Sequence, residues 1–427
     1  MIQPDGGAPE LLYDPSQRNV LLASFLDAAN APQSLDCGVH RKDEMFAYAL
    51  AACQNSFNDA LVMYHQGGAL GYRIVDQLLD GIAVPSSWLD FGCGYGRVLR
   101  YARADRPDLD IVGCEIDGRA AEFVASRYDV RGLQSSTRPG DLDLPEEVAL
   151  ITAWSVFTHL PEAEFIAWLE RLWHATAPGG ILAVSTNDLA RMPMGVGRPG
   201  TKFVFERHSE SDLLSSDDYG TTWVAADWMR SAMRRIAGDQ LADLDVLERG
   251  LWNAQDLWVA RKASGGGQEQ SVPAMQPAPI GYLEGLEIRD ARRVKVEGWC
   301  LACAERAPRL LVEIVDESCR VLDRHDQSEF SERPDLLREF GSTHRGGSWS
   351  VDLESERPLR GTEILRLVVD DLPVHVSLLD AADRRVRTER RIHELEVGQR
   401  ILKDELERKG GLPLRLARAV LRRLKSR

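Results

Sequence analysis

Three hydrophobic patterns follow one another along the chain. Between about residues 43 and 80, apolar residues recur three and four positions apart (Met45, Phe46, Ala49 and Leu50, then Ile74, Leu78 and Leu79), the spacing of one helix face, with an interruption at Gly67-Gly68. Residues 1–85 are therefore expected to form a helical cap or lid. From Ser87 onward, short apolar runs at 88–91, 111–114, 149–154 and 181–185 alternate with amphipathic stretches. The clearest of these is 162–175, with Phe165, Trp168, Leu169 and Leu172 on one face. Strand alternating with helix predicts a parallel sheet covered on both faces over residues 86–262.

The composition then changes. Ser264-Gly-Gly-Gly-Gln-Glu-Gln-Ser is followed by Pro273, Pro277 and Pro279, so 263–280 reads as a flexible linker. From 281 to 376 the period shortens to two, as in Arg293-Val-Lys-Val-Glu-Gly-Trp and Ile364-Leu-Arg-Leu-Val-Val, with a helical pattern only around 334–340. An all-β sandwich of antiparallel strands is expected there. Residues 377–409 carry Ile392, Leu395, Leu402 and Leu406 in a field of Arg and Glu, with Gln399 in the seam, a short and imperfect coiled coil. Gly410-Gly411 breaks it. The last segment, 410–427, sets Leu412, Leu416, Val420, Leu421 and Leu424 against Arg415, Arg418, Arg422 and Lys425, a basic amphipathic helix.

Composition narrows the class. At 427 residues the chain exceeds one compact core, and 44% hydrophobic with 28% charged residues is an ordinary globular balance. A net charge of -14 argues against a protein held on nucleic acid by phosphate neutralisation. Seven scattered cysteines, the absence of a leader pattern at Met1 and the absence of any apolar window of membrane-spanning length give a cytoplasmic expectation, with any membrane contact peripheral. Cys300, Cys303, Cys319 and His325 could together form a zinc site, but the cysteines are read as small buried strand residues, and no metal is expected.

The strongest local signal is Trp88-Leu-Asp-Phe-Gly-Cys-Gly-Tyr-Gly-Arg97, a strand running into a glycine-rich turn and a helix. Gly92, Gly94 and Gly96 allow a tight turn and close approach to a nucleotide-like cofactor. The dinucleotide fingerprint wants a small residue where Arg97 stands, so NAD loses ground. Asp90 argues the same way, because a carboxylate at the strand mouth repels a pyrophosphate but can hold the ammonium of an amino-acid moiety. These observations point to S-adenosylmethionine. About 23 positions beyond Gly92, Glu115 and then Asp117 stand at the end of the second strand, where a carboxylate accepts from ribose hydroxyls. After the third strand Asp141 is placed to accept from an adenine amino group, with Leu142 packing the ring. Taken singly, each acid could equally be a helix cap or a solvated loop residue.

With these pieces in order, the stretch 64–262 resembles the class I S-adenosylmethionine-dependent methyltransferases. The matching segments are Leu89-Asp-Phe-Gly-Cys-Gly-Tyr-Gly-Arg, Gly113-Cys-Glu-Ile-Asp, Gly140-Asp-Leu, Trp154-Ser-Val-Phe-Thr-His-Leu-Pro and Ala177-Pro-Gly-Gly-Ile-Leu-Ala-Val-Ser. The resemblance implies a Rossmann-like sheet of seven strands in the order 3-2-1-4-5-7-6, the seventh antiparallel and supplied by Gln255-Asp-Leu-Trp-Val-Ala-Arg, with cofactor across the ends of strands one and two. It also places Ser155 beside the cofactor and Tyr64, from the helical lid, over it. Through Ser155-Val-Phe-Thr-His-Leu-Pro and Met63-Tyr-His-Gln-Gly-Gly the chain resembles methyltransferase modules found beside bacterial surface-polysaccharide genes. The segment 281–376, with Gly298-Trp299 and Arg333-Pro-Asp335, resembles a module appended to polysaccharide-modifying proteins, although Cys300 replaces its usual alanine.

A methyltransferase must align its acceptor with the S-methyl bond and exclude water. A hydroxyl acceptor must also lose a proton, and His159, just after the fourth strand, is the best-placed base, ahead of His65 and Asp256. The plainer reading of His159 is a helix cap or a backbone hydrogen bond. The expected reaction is O-methylation of a sugar hydroxyl in a surface glycan or its precursor. A small-metabolite methyltransferase and a non-catalytic scaffold of a polysaccharide assembly complex are the alternatives. Self-association through 378–406 and peripheral inner-membrane contact through 412–427 are the partner expectations. The tail could equally pack on another protein or be solvated.

Overall fold

The computed structural model describes residues 11–193, 200–208, 213–265, 271–303, 307–340, 344–389 and 392. Three helices open it: α1 (Val20–Ala28), α2 (Glu44–Ala52) and α3 (Phe57–Asp80). Asn19 caps α1 by accepting from the Leu22 N–H, and Asp43 caps α2 by accepting from Met45 and Phe46. Helix α3 runs 24 residues straight through Gly67-Gly68, where the sequence predicts an interruption. Packing supplies the reason for the glycines. A Cβ on Gly68 would lie 2.4 Å from the Arg97 carbonyl oxygen, and one on Gly71 would lie 2.7 Å from Val98 Cγ2. They let the helix lie against the backbone leaving the glycine-rich turn.

The central sheet is built from β1 (Ser87–Phe91), α4 (Leu99–Asp105), β2 (Asp110–Glu115), α5 (Gly118–Tyr128), β3 (Arg131–Gln134), β4 (Val148–Ala153), α6 (Glu162–Ala175), β5 (Thr176–Asp188), α7 (Ala226–Ala237), β6 (Leu241–Leu251) and β7 (Gln255–Lys262). Its strand order is β3-β2-β1-β4-β5-β7-β6, with β7 antiparallel to both neighbours and the first five strands parallel, as the resemblance implies. Two short strands enlarge it beyond seven. Phe203–Glu206 pairs with Thr221–Val224, which runs beside the last residues of β5. Side chains alternate across β1. Trp88 joins Val75, Leu78 and Leu79 of α3 on one face, while Leu89 and Phe91 join Phe165, Trp168 and Leu169 of α6 on the other. Helix α3 is thus part of the sheet's own covering layer as well as of the N-terminal cap.

Residues 271–280 of the expected flexible linker are packed down. The Val272 N–H donates to Asp243 Oδ2 (2.8 Å), the Gln276 N–H donates to Gln77 Oε1 (2.9 Å), and Pro273 sits against Gly81. Prolines fix an extended backbone, and Val272 and Met275 anchor it to the core of the central sheet.

Beyond it lie β8 (Ile280–Ile288), β9 (Arg293–Cys303), β10 (Leu310–Val315), β11 (Val321–Gln327), α8 (Pro334–Phe340), β12 (His344–Glu354), β13 (Ile364–Val369) and β14 (Leu372–Leu378). They form two four-stranded antiparallel sheets, β8-β9-β12 with Ser331–Glu332 on its edge, and β11-β10-β13-β14. Val294 and Val296 from one and Val312, Ile314 and Leu367 from the other share a core, which also takes in Cys300. Helical residues 379–389 close this unit by burying Leu379, Ala382 and Val386 in it, so the first turns of the expected coiled coil face inward within the chain. The remainder of that coiled coil, apart from Ile392, and the basic segment 412–427 lie outside the described residues. Among the described residues no helix is long and apolar enough to cross a membrane, and no three His, Cys, Asp or Glu side chains gather into a metal-binding group.

The C-terminal β unit is seated on the N-terminal helices. Leu21, Leu22 and Phe25 of α1 and Leu61 of α3 share one cluster with Val315, Ile364 and Val376. Gln66 of α3 donates to the carbonyls of Pro373 and Val374 at 3.1 and 3.3 Å. Arg366 is only 2% exposed, and it pairs with Glu313 at 2.9 Å, itself 3% exposed, while also reaching Asp27 at 2.6 Å. Replacing Arg366 by Met removes one side of a buried pair, so a loss of about 3 kcal/mol is expected. Thermal unfolding of the full chain checks this, and an unchanged midpoint would show that the pair does not hold the seam.

Candidate active site

Strand β1 delivers the chain into a turn in which Gly92, Gly94 and Gly96 have φ of 82, 53 and 76°. A Cβ on Gly92 would lie 2.4 Å from Val156 Cγ2, and one on Gly96 would lie 2.6 Å from the Tyr128 ring. At Gly94 a Cβ would meet nothing within 4 Å, because that position faces open space. The turn hangs on the end of β2, since the N–H groups of Gly92 and Cys93 both donate to the Cys114 carbonyl (2.8 and 3.2 Å).

Glu115 continues that attachment. Its Oε2 accepts from the Gly94 N–H at 2.8 Å, and Oε1 accepts from Ile116 at 2.7 Å and Asp117 at 3.3 Å. Burial pushes its pKa up, and these backbone donors pull it partly back. Asp117 caps α5 through the Arg119 N–H and receives the Tyr95 hydroxyl at 3.3 Å. Burial raises its pKa, but Arg119 outweighs burial and the net direction is downward.

These groups border a cavity of about 260 Å³. One part of its lining is Gly92, Gly94, Glu115, Asp117 and Ser135–Thr137, at the ends of β1, β2 and β3. A second part is Lys42–Met45, the approach to α2. A third comprises Ser155, His159, Leu160, Glu164, Leu213, Leu214, Asp218 and Tyr219, with Trp154 and Trp168 nearby. Backbone bonds zip this third part together. Thr222 N donates to the Thr158 carbonyl (2.7 Å) and Gly220 N to that of His159 (2.9 Å).

Gly92, Gly94, Glu115, Asp117, Ser155 and His159 therefore meet in one cavity, as expected. Ser155 sits at φ 57° and exchanges hydrogen bonds with Gln255. His159 Nδ1 lies 2.7 Å from the Gly220 carbonyl, and its ring stacks on Tyr219 with centroids 4.4 Å apart. A carbonyl only accepts, so Nδ1 carries the proton and the neutral ring's lone pair falls on Nε2. The backbone hydrogen bond foreseen for this residue thus also sets its tautomer.

Five expected residues lie elsewhere. Gly96 serves the packing of the turn against Tyr128. Tyr64 is buried behind the cavity and donates to Asp43 Oδ2 at 2.5 Å. Asp141 ends a short 3-10 turn (Pro139–Asp141) and is exposed, while Leu142 points into the core. Neither lines the cavity, and Ser135–Thr137 take that wall instead. Neither weaker base candidate lines the cavity. His65 is buried between Tyr101 and the Cys37 carbonyl, with burial, reinforced by Arg100, lowering its pKa to about 3, and Asp256 is paired with Arg191.

Asp90 is also behind the lining. It accepts from Thr152 Oγ1 at 3.2 Å, and burial pushes its pKa up to about 7 against the lowering effect of that hydroxyl. An unfolded aspartate titrates near about 3.9, so between there and about 7 the folded chain holds the extra proton and stability falls as pH rises through that window. The melting midpoint is expected to decline from pH 5 to 7.5. Asp90→Asn keeps the acceptor oxygen and should flatten the decline, and parallel profiles for the two proteins would refute the assignment.

Sequence reasoning missed the Lys42–Met45 wall and what holds it. Buried Arg100 donates to the carbonyls of Gly96 (3.0 Å), Gly38 (2.7 Å) and Tyr95 (3.2 Å) and to the Tyr64 hydroxyl (3.0 Å), which in turn donates to Asp43. The glycine turn and the approach to α2 are thereby tied into one network.

Residues 89–182 match the model of a methyltransferase domain family. No curated protein matches the chain. Solved structures similar to it include human N-acetylserotonin methyltransferase in complex with SAM, 15% identical, with 57% of this chain and 67% of that chain covered and a TM-score of 0.33. DesVI of Streptomyces venezuelae is 18% identical over 52% of this chain and 100% of its own, with a TM-score of 0.38. An O-methyltransferase family protein from Burkholderia thailandensis is 15% identical over 57% and 69%, with a TM-score of 0.34. The family match agrees with S-adenosylmethionine, the cofactor expected from the sequence. The matched residues run from β1 into β5, the stretch that supplies the glycine turn, Glu115 and His159.

Proposed function

We propose that the chain is an S-adenosylmethionine-dependent methyltransferase that O-methylates a sugar hydroxyl of a surface glycan or its precursor. The observation that carries the methyltransferase reading is the open face of Gly94 beside the Glu115 carboxylate. Backbone without a side chain can approach a ligand there. Of the roughly four lone-pair sites on the carboxylate, three are taken by N–H groups, leaving one on Oε2 for a ribose hydroxyl. The bound cofactor supplies an electrophilic methyl group. His159 supports the hydroxyl reading, because Nε2 can take the acceptor's proton while Gly220 fixes the ring. The glycan acceptor rests on the resemblance of the Ser155–Pro161 segment and of the C-terminal unit. Attachment to the inner membrane through 412–427 and self-association through 378–406 belong to the same reading.

Two measurements test it. Calorimetry should show saturable binding of S-adenosylmethionine and S-adenosylhomocysteine by the full chain. Mass spectrometry of surface glycan from cells with and without the protein should differ by one CH₂ per modified unit. Cofactor binding with unchanged glycan would shift the acceptor to a small metabolite. No cofactor binding would remove the enzyme reading.

A further inference from the structure

The charge of the third cavity wall narrows the acceptor, and this inference rests on the methyltransferase reading above. His159, Leu160, Glu164, Leu213, Asp218 and Tyr219 stand there. The wall holds two carboxylates and neither Lys nor Arg among the described residues. Lys42 is the one Lys or Arg in the described lining and belongs to the N-terminal segment.

The carboxylates of the cavity differ in their commitments. Asp43 caps α2 and receives Tyr64, Glu44 in the first turn of α2 acts electrostatically on Arg119, Glu115 holds the glycine turn, Asp117 pairs with Arg119, and Asp218 accepts from Ser215 Oγ at 2.7 Å. Glu164 is half-buried in the first turn of α6 and has neither a hydrogen bond nor an ion pair among the described residues. A first-turn acid is favoured by the helix dipole, which accounts for an acid at the start of α6 but not for its place in the cavity wall. A half-desolvated carboxylate among Leu160, Leu213 and aromatic rings gains most from a ligand that brings hydrogen-bond donors, and it repels a ligand that brings phosphate.

We propose that the acceptor enters as a non-anionic, donor-rich sugar unit, neutral or amine-bearing, and that Glu164 accepts a hydrogen bond from it. The same wall disfavours a nucleotide diphosphate sugar or a sugar phosphate. Glu164 is a specificity-determining residue, separate from the groups that hold cofactor.

The test uses the full chain saturated with S-adenosylhomocysteine and titrates D-glucosamine, methyl glucoside and glucose 1-phosphate. Glucosamine should bind best, and glucose 1-phosphate at least tenfold more weakly than methyl glucoside. Glu164→Gln should level the glucosamine preference, and Glu164→Lys should turn it toward the phosphate, both with unchanged S-adenosylhomocysteine affinity. Equal or tighter binding of glucose 1-phosphate by the natural protein, an unchanged order in Glu164→Lys, or binding of none of the three sugars overturns the inference. Failure of S-adenosylhomocysteine itself to bind overturns the underlying functional reading, so the two failures are distinct.

Discussion

Gly94→Asp is expected to weaken S-adenosylmethionine binding by at least 100-fold while the chain stays folded. The backbone at Gly94 is left-handed, a conformation that aspartate tolerates at a cost of about 1 kcal/mol. Its Cβ would enter open space, so no core contact is disturbed. The new carboxylate would stand in the cofactor's volume next to Glu115, whose Oε2 already accepts from the Gly94 N–H. A 100-fold loss corresponds to about 2.8 kcal/mol of binding free energy. The neighbouring glycines provide the contrast. Alanine at Gly92 or Gly96 would drive a methyl group into Val156 or Tyr128, so those variants should lose stability before they lose a ligand. Calorimetry on Gly94→Asp, with a thermal scan to confirm folding, decides the matter. Normal binding by this variant would move the cofactor site elsewhere.

His159→Ala should lower kcat by 10²–10⁴-fold, the usual contribution of a general base, with cofactor affinity within twofold of the natural protein. The split follows from geometry. His159 lies on the wall zipped to residues 219–222, whereas the groups assigned to cofactor lie at the ends of β1 and β2. Turnover is read with labelled methyl donor on the acceptor fraction that glycan mass comparison identifies. A loss below tenfold would make the histidine a wall residue whose hydrogen bond to Gly220 serves only to shape the loop.

The parts of the site that were legible in sequence are those set by local geometry. A strand entering glycines at alternate positions specifies its own turn, and Glu115 and Asp117 follow directly from the end of the adjoining strand. The strand order followed from matching segments in the right succession. Distant contacts were not legible. Nothing in the periodicity around Asp43, Tyr64 or Arg100 shows that they form one hydrogen-bonded line, because they come from three elements brought together only by packing. The chemistry of Asp141 suits an adenine contact, but at the end of the Pro139–Asp141 turn it is exposed to solvent, and serines and a threonine occupy the wall. Gly67-Gly68 was read as a helix break when its role is steric, a distinction that depends on what lies across from the helix.

The seat of the β unit on α1 also bears on biosynthesis. Asp27 and Arg366 are 339 positions apart, and Leu21, Leu22 and Phe25, which share a cluster with nearby Phe46 and Leu61, meet Val315, Ile364 and Val376 only much later in synthesis. At translation rates of about 5–20 residues per second, the part of this cluster that the β unit covers stays exposed in the nascent chain for on the order of tens of seconds. Truncation after β7 would make the exposure permanent, and the shortened polypeptide should collect in inclusion bodies or on chaperones.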